Sequence, residues 1–216
     1  MCFLWGATPP PPVSIALVSK VILDVTWKEA GKDWLQAKRG QMLASGERVR
    51  TGEKSFAVIK FKDNSMVRVR EKSEVLLAGS QDGKAFLKST EMERGVMGFN
   101  IKKQQQGEEF RFSSPTSVAS IRGTSGQFSA ADSNDKLIVL EGLVRFTNKI
   151  STQYVNVEGG LTGISTRDGK IQVRPSTPEE KLVAQLASRT GDQESKLDIE
   201  LENGSGNKKN IEIRFK

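Results

Sequence analysis

Hydrophobic and polar residues alternate in short runs along most of the chain, from about residue 13 to residue 174. Residues 66–70 (Met-Val-Arg-Val-Arg) alternate strictly, as in a strand with one buried face, whereas residues 56–61 (Phe-Ala-Val-Ile-Lys-Phe) are nearly continuous, as in a strand buried on both faces. Turn-forming residues separate the runs, for example at residues 63–65 (Asp-Asn-Ser). Because helical periodicity is almost absent, the pattern predicts an all-β core.

A loose repeat places a glycine before apolar residues two and four positions later. It occurs at Gly95 and at Gly142, and a looser version follows Gly159. A recurrence of this kind favours short strands stacked in successive coils over a sandwich. The predicted core is therefore a β-solenoid-like stack of short strands over residues 13–175.

The pattern changes after residue 175. Residues 177–180 (Thr-Pro-Glu-Glu) form a capping box with proline at the first helical position, which predicts one short helix over residues 176–191 with Leu182, Val183 and Leu186 as its apolar face. Strict alternation then predicts a terminal β-hairpin over residues 196–216, whose apolar face we expect to pack on the domain. The proline-rich residues 1–12 are predicted to be a disordered N-terminal segment.

Charge adds one candidate surface to this picture. The 216-residue chain has 36% hydrophobic and 27% charged residues, as in a soluble globular protein, and six of its seven net positive charges fall between Lys38 and Lys72. Alternation puts pairs of these cations on common faces, which together could hold an anionic polymer or an acidic protein surface, although charge on the wet face of a β domain is also the ordinary outcome. The candidate basic face consists of Arg48, Arg50, Lys60, Lys62, Arg68 and Arg70.

The composition excludes several chemistries. The chain contains no histidine and one cysteine, Cys2, which removes Ser-His-Asp and Cys-His nucleophiles, zinc sites with those ligands, haem and iron–sulfur clusters. Its carboxylates are scattered and stand in no catalytic context, so we expect no enzyme, no cofactor and no metal. Nucleic acid is disfavoured because aromatic residues are only 6% of the chain and Tyr154 is the only tyrosine. No apolar run is long enough for a transmembrane helix.

Three ordered blocks carry a resemblance to a known family. The first spans residues 46–75 and begins Gly-Glu-Arg-Val-Arg-Thr-Gly, the second is residues 112–124 (Phe-Ser-Ser-Pro-Thr-Ser-Val-Ala-Ser-Ile-Arg-Gly-Thr), and the third runs from residue 139 (Val-Leu-Glu-Gly-Leu-Val) to the glycines at 159 and 160. Together they resemble the FecR domain over roughly residues 40–164. The resemblance implies a periplasmic β-solenoid-like domain, which in the signalling members senses an outer-membrane receptor and controls a sigma factor.

The sequence departs from those iron-siderophore regulators in two respects. The helical anti-sigma segment and the membrane helix that precede the domain in them are not visible here, so the chain looks like a stand-alone member, and iron regulation is not carried over. We expect a non-enzymatic, periplasmic or secreted protein-interaction or envelope-sensing module. The location rests on the resemblance, since no export signal is visible. Its expected partner is another envelope protein, and the alternative is an acidic polysaccharide or, less favoured, nucleic acid bound by the basic face.

Within the three blocks, a set of residues is expected to shape the corners of the fold. Glycine permits tight bends and threonine bonds to nearby backbone. Arg122 has two interpretations: a buried ion-pair partner, for which Glu141 is a plausible mate, or a group that reads a ligand. The structural interpretation is favoured, because a single arginine in a turn usually braces carbonyls or a carboxylate. The set is Gly46, Thr51, Gly52, Asp63, Ser65, Arg122, Gly123, Thr124, Glu141 and Gly142.

Overall fold

The computed structural model describes residues 14–82 and 85–189, together with the backbone of two further strands, 195–202 and 208–215. The strands of the main body form two nine-stranded sheets. In spatial order, sheet A consists of β18 (Ile171–Pro175), β17 (Leu161–Thr166), β14 (Asn134–Glu141), β13 (Thr124–Ala130), β10 (Gly95–Ile101), β7 (Met66–Val69), β6 (Phe56–Phe61), β1 (Ser14–Ile22) and β4 (Met42–Ala44). Sheet B consists of β16 (Tyr154–Glu158), β15 (Leu143–Asn148), β12 (Ser117–Ile121), β11 (Glu108–Ser113), β9 (Ala85–Met92), β8 (Glu74–Asp82), β5 (Arg48–Thr51), β2 (Val25–Lys28) and β3 (Leu35–Gln36).

Successive hairpins along the chain belong to alternate sheets, so both sheets extend together. Strands β6 and β7 pair in sheet A, β8 and β9 in sheet B, and this exchange continues through β17 and β18. The described pairings are antiparallel except for that of β9 with β11, which is parallel. All-β architecture is thus confirmed, whereas β-solenoid-like stacking is not confirmed, because the strands join two broad hydrogen-bonded sheets.

The hydrophobic core lies between the two sheets. Phenylalanine rings from opposite sheets meet there: Phe61 and Phe110 have centroids 4.8 Å apart, and Phe99 and Phe112 are 4.9 Å apart. The alternation at residues 66–69 is confirmed, since Val67 and Val69 are buried in this core. Edge-to-face and tilted rings of this kind add to the stability gained from apolar burial.

Helix α1 (Pro178–Ser188) covers part of the outer face of sheet A, where it contacts β7, β10, β13 and β14. The predicted capping box is present: the Thr177 hydroxyl accepts from the Glu180 amide, and the Glu180 carboxylate accepts from the Thr177 amide. The predicted apolar face is wrong. Ala184 and Ala187 are buried, whereas Leu182, Val183 and Leu186 are exposed, because the helix backbone lies too close to the sheet for larger side chains.

The last two strands, β19 (Ser195–Glu202) and β20 (Lys208–Phe215), pair antiparallel with Leu197 opposite Ile213. This agrees with the predicted hairpin. Its turn and its side chains lie outside the described residues, so its packing on the domain stays a prediction. The predicted disordered segment, residues 1–12, also lies outside them.

Candidate functional site

The six residues of the predicted basic face lie on two different sheets. Arg48 and Arg50 are on β5 of sheet B, whereas the other four lie on or beside β6 and β7 of sheet A. The separation arises because the chain changes sheets between Thr51 and Phe56. The six cations therefore do not form one continuous ladder.

The two cations on sheet B have contacts that occupy them. Arg48 forms an ion pair with Glu74, with 2.8 Å between Nη1 and Oε1. The Arg50 guanidinium lies 4.2 Å from the centroid of the Trp34 ring. Both line a groove of about 340 Å³ that also contains Lys72, Glu74, Glu93 and Arg94, so acids offset much of its positive charge.

On sheet A, Arg68 contacts the C-terminal end of helix α1. Its Nη1 donates to the Arg189 carbonyl at 2.7 Å, and its guanidinium lies 3.9 Å from the centroid of the Phe56 ring. Burial, together with the charge of Arg70, lowers the pKa of Arg68. Lys60 and Arg70 are half-buried and Lys62 is exposed. Arg68 therefore holds the end of α1 on sheet A, a structural role that the sequence pattern did not reveal.

Several of the predicted motif residues hold corners. The buried Thr51 hydroxyl donates to the Ser73 carbonyl at 3.2 Å and to the Arg70 carbonyl. At Gly52, a Cβ atom would lie 2.6 Å from the Asp24 carboxylate, so a larger residue would displace that side chain. Gly46 occupies positive φ at +90°, where glycine is favoured.

Asp63 and Ser65 form the centre of a polar cluster. Asp63 accepts from the Ser65 amide at 3.0 Å, from Gln104 Nε2 at 3.0 Å and from Lys88 Nζ at 2.5 Å. Burial alone would raise the pKa of Asp63, but these hydrogen bonds outweigh burial and lower the pKa. The Lys88 side chain is 5% exposed, so the pair is an internal one.

The Gly123 and Gly142 corners touch each other. Gly123 has φ +106° and Gly142 has φ +91°, and a Cβ at Gly142 would lie 2.7 Å from the Gly123 carbonyl oxygen. Thr124 is buried, and its hydroxyl donates to the Leu143 carbonyl at 3.4 Å. Arg122 and Glu141 are both exposed, and the ion pairs of the described chain do not include one between them.

Arg122 instead lines a cleft of about 630 Å³ on the outer face of sheet B, which we call the arginine cleft. Strand register brings its members together: Arg111 pairs with Ser120, Ser120 with Arg145, and Arg145 with Asn156. These residues form one row across β11, β12, β15 and β16. The cleft is lined by Glu109, Arg111, Ser120, Arg122, Gly123, Leu143, Arg145 and Asn156.

The charges of the arginine cleft are only partly compensated. Glu109 pairs with Arg111, with 2.8 Å between Oε2 and Nη2. Burial would raise the pKa of Glu109, but hydrogen bonds from Arg111 and Ser120 and the charges of Arg111 and Arg122 outweigh it, so the pKa is lowered. Arg145 stacks on Tyr154, 4.1 Å from the ring centroid. Among the described residues, neither Arg122 nor Arg145 has an ion-pair partner.

Sequence patterns revealed only part of this cleft. Arg122 was a candidate, and the alternation at residues 110–112 places Arg111 on the face opposite Phe110 and Phe112. The relation of Arg111 to Arg145, 34 positions later, follows from strand pairing that no local pattern contains. Arg145 was therefore missed.

Two observations limit the chemistry of the described part of the chain. It contains no group of three or more Cys, Asp or Glu side chains placed to hold a metal ion. The helix within it, α1, is too short and too polar to cross a membrane.

The structure is a two-sheet β domain whose sheet B carries a cleft lined by three arginines on its outer face. Residues 47–145 match the sequence model of the family described as FecR protein. No curated protein matches the chain. Two crystal structures of a candidate anti-sigma factor from Parabacteroides distasonis share its fold, with 16% sequence identity and TM-scores of 0.53 and 0.54. The alignments cover 64% of this chain, and 64% and 63% of those chains.

Proposed function

We propose that this protein is a non-enzymatic regulatory module of the cell envelope, located in the periplasm or secreted, which binds another protein through the outer face of sheet B. The FecR family is regulatory and associated with the cell envelope, which supports the class of function and the location. The structural neighbours are described as anti-sigma factors, a class that regulates through protein contacts.

The observation that carries the proposal is the difference between the two outer faces. Helix α1 packs on β7, β10, β13 and β14, which all belong to sheet A. The outer face of sheet B carries the exposed side chains of Arg111, Leu143, Arg145 and Tyr154. Arginine and tyrosine are enriched in the centres of protein interfaces, where they contribute much of the binding energy.

Binding of an anionic polymer has less support. A polymer chain needs a continuous track of cations, and the six predicted cations divide between the two sheets. Arg48 is also neutralised by Glu74. A short protein contact at one face fits the distribution of charge better.

Site-specific photo-crosslinking tests the proposal. A benzophenone amino acid at Tyr154 or Thr147, both on the outer face of sheet B, should give the same discrete protein adduct in the native cells. Gln172, exposed on β18 of sheet A, is the matched control position and should not give that adduct. Equal labelling from both sheets, or no adduct from either position on sheet B, would contradict the proposed function.

A further inference from the structure

We propose that the arginine cleft binds carboxylate side chains at alternating positions of an extended acidic segment in the protein partner. This inference rests on the proposed function and assigns the chemistry of its contact. It differs from the basic face predicted from sequence, because none of that face's six residues lines the arginine cleft.

Two arginines of the cleft can accept a new partner. Arg111 already holds Glu109, whereas Arg122 and Arg145 have no carboxylate partner within the described ranges. Stacking on Tyr154 orients the Arg145 side chain and leaves the hydrogen-bonding edge of its guanidinium unused. A guanidinium presents five N–H donors in a fixed fork that matches a carboxylate, so two sites for carboxylates remain.

The spacing of Arg122 and Arg145 matches the repeat of side chains on one face of an extended peptide. Ser120 lies opposite Arg145, and Arg122 follows directly after the end of β12, close to the diagonal position from Arg145; both arginines line the cleft. Diagonal neighbours on adjacent strands are separated by about 7–8 Å. In an extended peptide, side chains on one face repeat at about 6.6–6.8 Å. Acidic residues at positions i and i+2 would therefore place one carboxylate at each arginine.

The remaining residues that line the cleft are mostly polar. Ser120 and Asn156 add polar groups between and beside the arginines, and the exposed Leu143 adds an apolar contact at the edge. The cleft volume of about 630 Å³ falls within the range of roughly 300–1,000 Å³ that is usual for ligand sites. Tyr154 is the one aromatic residue beside the cleft in the described chain, and Arg145 already stacks on it, so the site lacks the stacking platform that nucleic acid requires.

The test uses the full chain and a fluorescent peptide in which glutamate alternates with threonine over ten residues. Fluorescence anisotropy at low ionic strength should show saturable binding, and the peptide with glutamine in place of glutamate should bind at least tenfold more weakly. The double variant Arg122→Gln, Arg145→Gln should also bind the glutamate peptide at least tenfold more weakly than the wild type does. The matched control, Lys38→Gln, Lys181→Gln, removes two exposed charges outside the cleft and should change the affinity less than twofold.

Equal losses in the two double variants would overturn the inference, since binding would then depend on net charge alone. An acidic oligosaccharide that binds in a manner dependent on Arg122 and Arg145, while the peptide does not bind, would also overturn it and assign the cleft to a glycan. Failure of the inference is distinguishable from failure of the proposed function. If the Tyr154 adduct persists in the Arg122→Gln, Arg145→Gln variant, the protein contact stands and only its assigned chemistry is wrong.

Discussion

Gly98 lies directly beneath Ala187. A Cβ atom on Gly98 would stand 1.9 Å from the Ala187 carbonyl oxygen and 2.7 Å from the Ser188 amide nitrogen. Both are backbone atoms, which no change of rotamer can move away. The last turn of α1 therefore rests on the strand backbone of β10, and this contact explains why small side chains form the buried face of the helix.

We expect Gly98→Ala to destabilise the protein by about 1–3 kcal/mol, the usual cost of overpacking. Alanine is otherwise acceptable in a strand, so the loss would come from displacement of the helix. Urea unfolding at neutral pH measures this loss in the free energy of unfolding. Asn100→Ala, two residues along the same face of β10, is the control and should change stability by less than about 0.5 kcal/mol. A Gly98→Ala protein as stable as the wild type would show that α1 does not rest on this strand.

Glu180 joins α1 to sheet A. Its carboxylate accepts from Arg174 Nη1 and Nη2, both at 2.8 Å, from the Thr162 hydroxyl at 3.1 Å and from Lys136 Nζ at 3.2 Å. Glu180→Gln keeps the shape but removes the charge, and should cost about 2 kcal/mol at neutral pH, since hydrogen bonds to charged groups contribute about 1.5–3 kcal/mol. Glu179→Gln, exposed in the same turn, is the control for the general loss of a negative charge.

The effect of Glu180→Gln should depend on pH in a defined direction. Hydrogen bonding from Arg174 holds the pKa of Glu180 far below its usual range. The ionised carboxylate therefore contributes stability above the unfolded pKa of about 4.3, and this contribution is lost as the pH falls through the folded pKa. Denaturant unfolding should show a large difference between wild type and variant at pH 7 and a progressively smaller one below about pH 4. A difference that stays constant down to pH 2 would contradict this linkage.

Arg68 and Arg70 are two positions apart, so the alternation of the sequence places them on the same face of one strand. The structure nevertheless predicts that they contribute unequally to stability. Arg68→Gln removes the donor to the Arg189 carbonyl and the stacking on Phe56, and should cost about 2 kcal/mol. Arg70→Gln should cost less than about 0.5 kcal/mol, because no hydrogen bond from its side chain is found in the described structure. Thermal unfolding of the two variants side by side tests this. Equal melting temperatures would mean that Arg68 does not hold the end of the helix.

The internal pair of Asp63 and Lys88 should show energetic coupling. Asp63→Asn preserves the turn to Ser65 but leaves the buried lysine without its carboxylate, and should cost about 3 kcal/mol. Combining it with Lys88→Met should cost at least about 1 kcal/mol less than the sum of the single changes. The exposed pair of Glu53 and Lys72 serves as the control, and Glu53→Gln should have no measurable effect. Additive losses at Asp63 and Lys88 would show that the two groups do not interact.

Local patterns in the sequence predicted the elements that depend on local contacts. Strict alternation placed Val67 and Val69 in the core, and the capping box between Thr177 and Glu180 marked the start of α1. The family resemblance was also confirmed, since residues 47–145 match the FecR sequence model.

Relations between distant strands could not be predicted in this way. Alternation shows that Arg50 and Arg68 point away from the core, but not that they point away from different sheets. The apolar helix face was mispredicted because hydrophobicity favours Leu186, whereas the close approach to Gly98 selects alanine. Arg145 joins Arg111 only through two successive strand pairings.

The exchange of sheets after every hairpin has a practical consequence for mapping a partner. A peptide of ten to twenty residues copied from this chain would span at most a few neighbouring strands, and none would contain Arg111 together with Arg145, which lies 34 positions later. An array of such peptides should therefore show no binding, even of a partner that binds the folded protein tightly. Antibodies raised against the folded domain that compete for the arginine cleft should lose recognition on denaturing blots, because only the assembled sheet brings these side chains together.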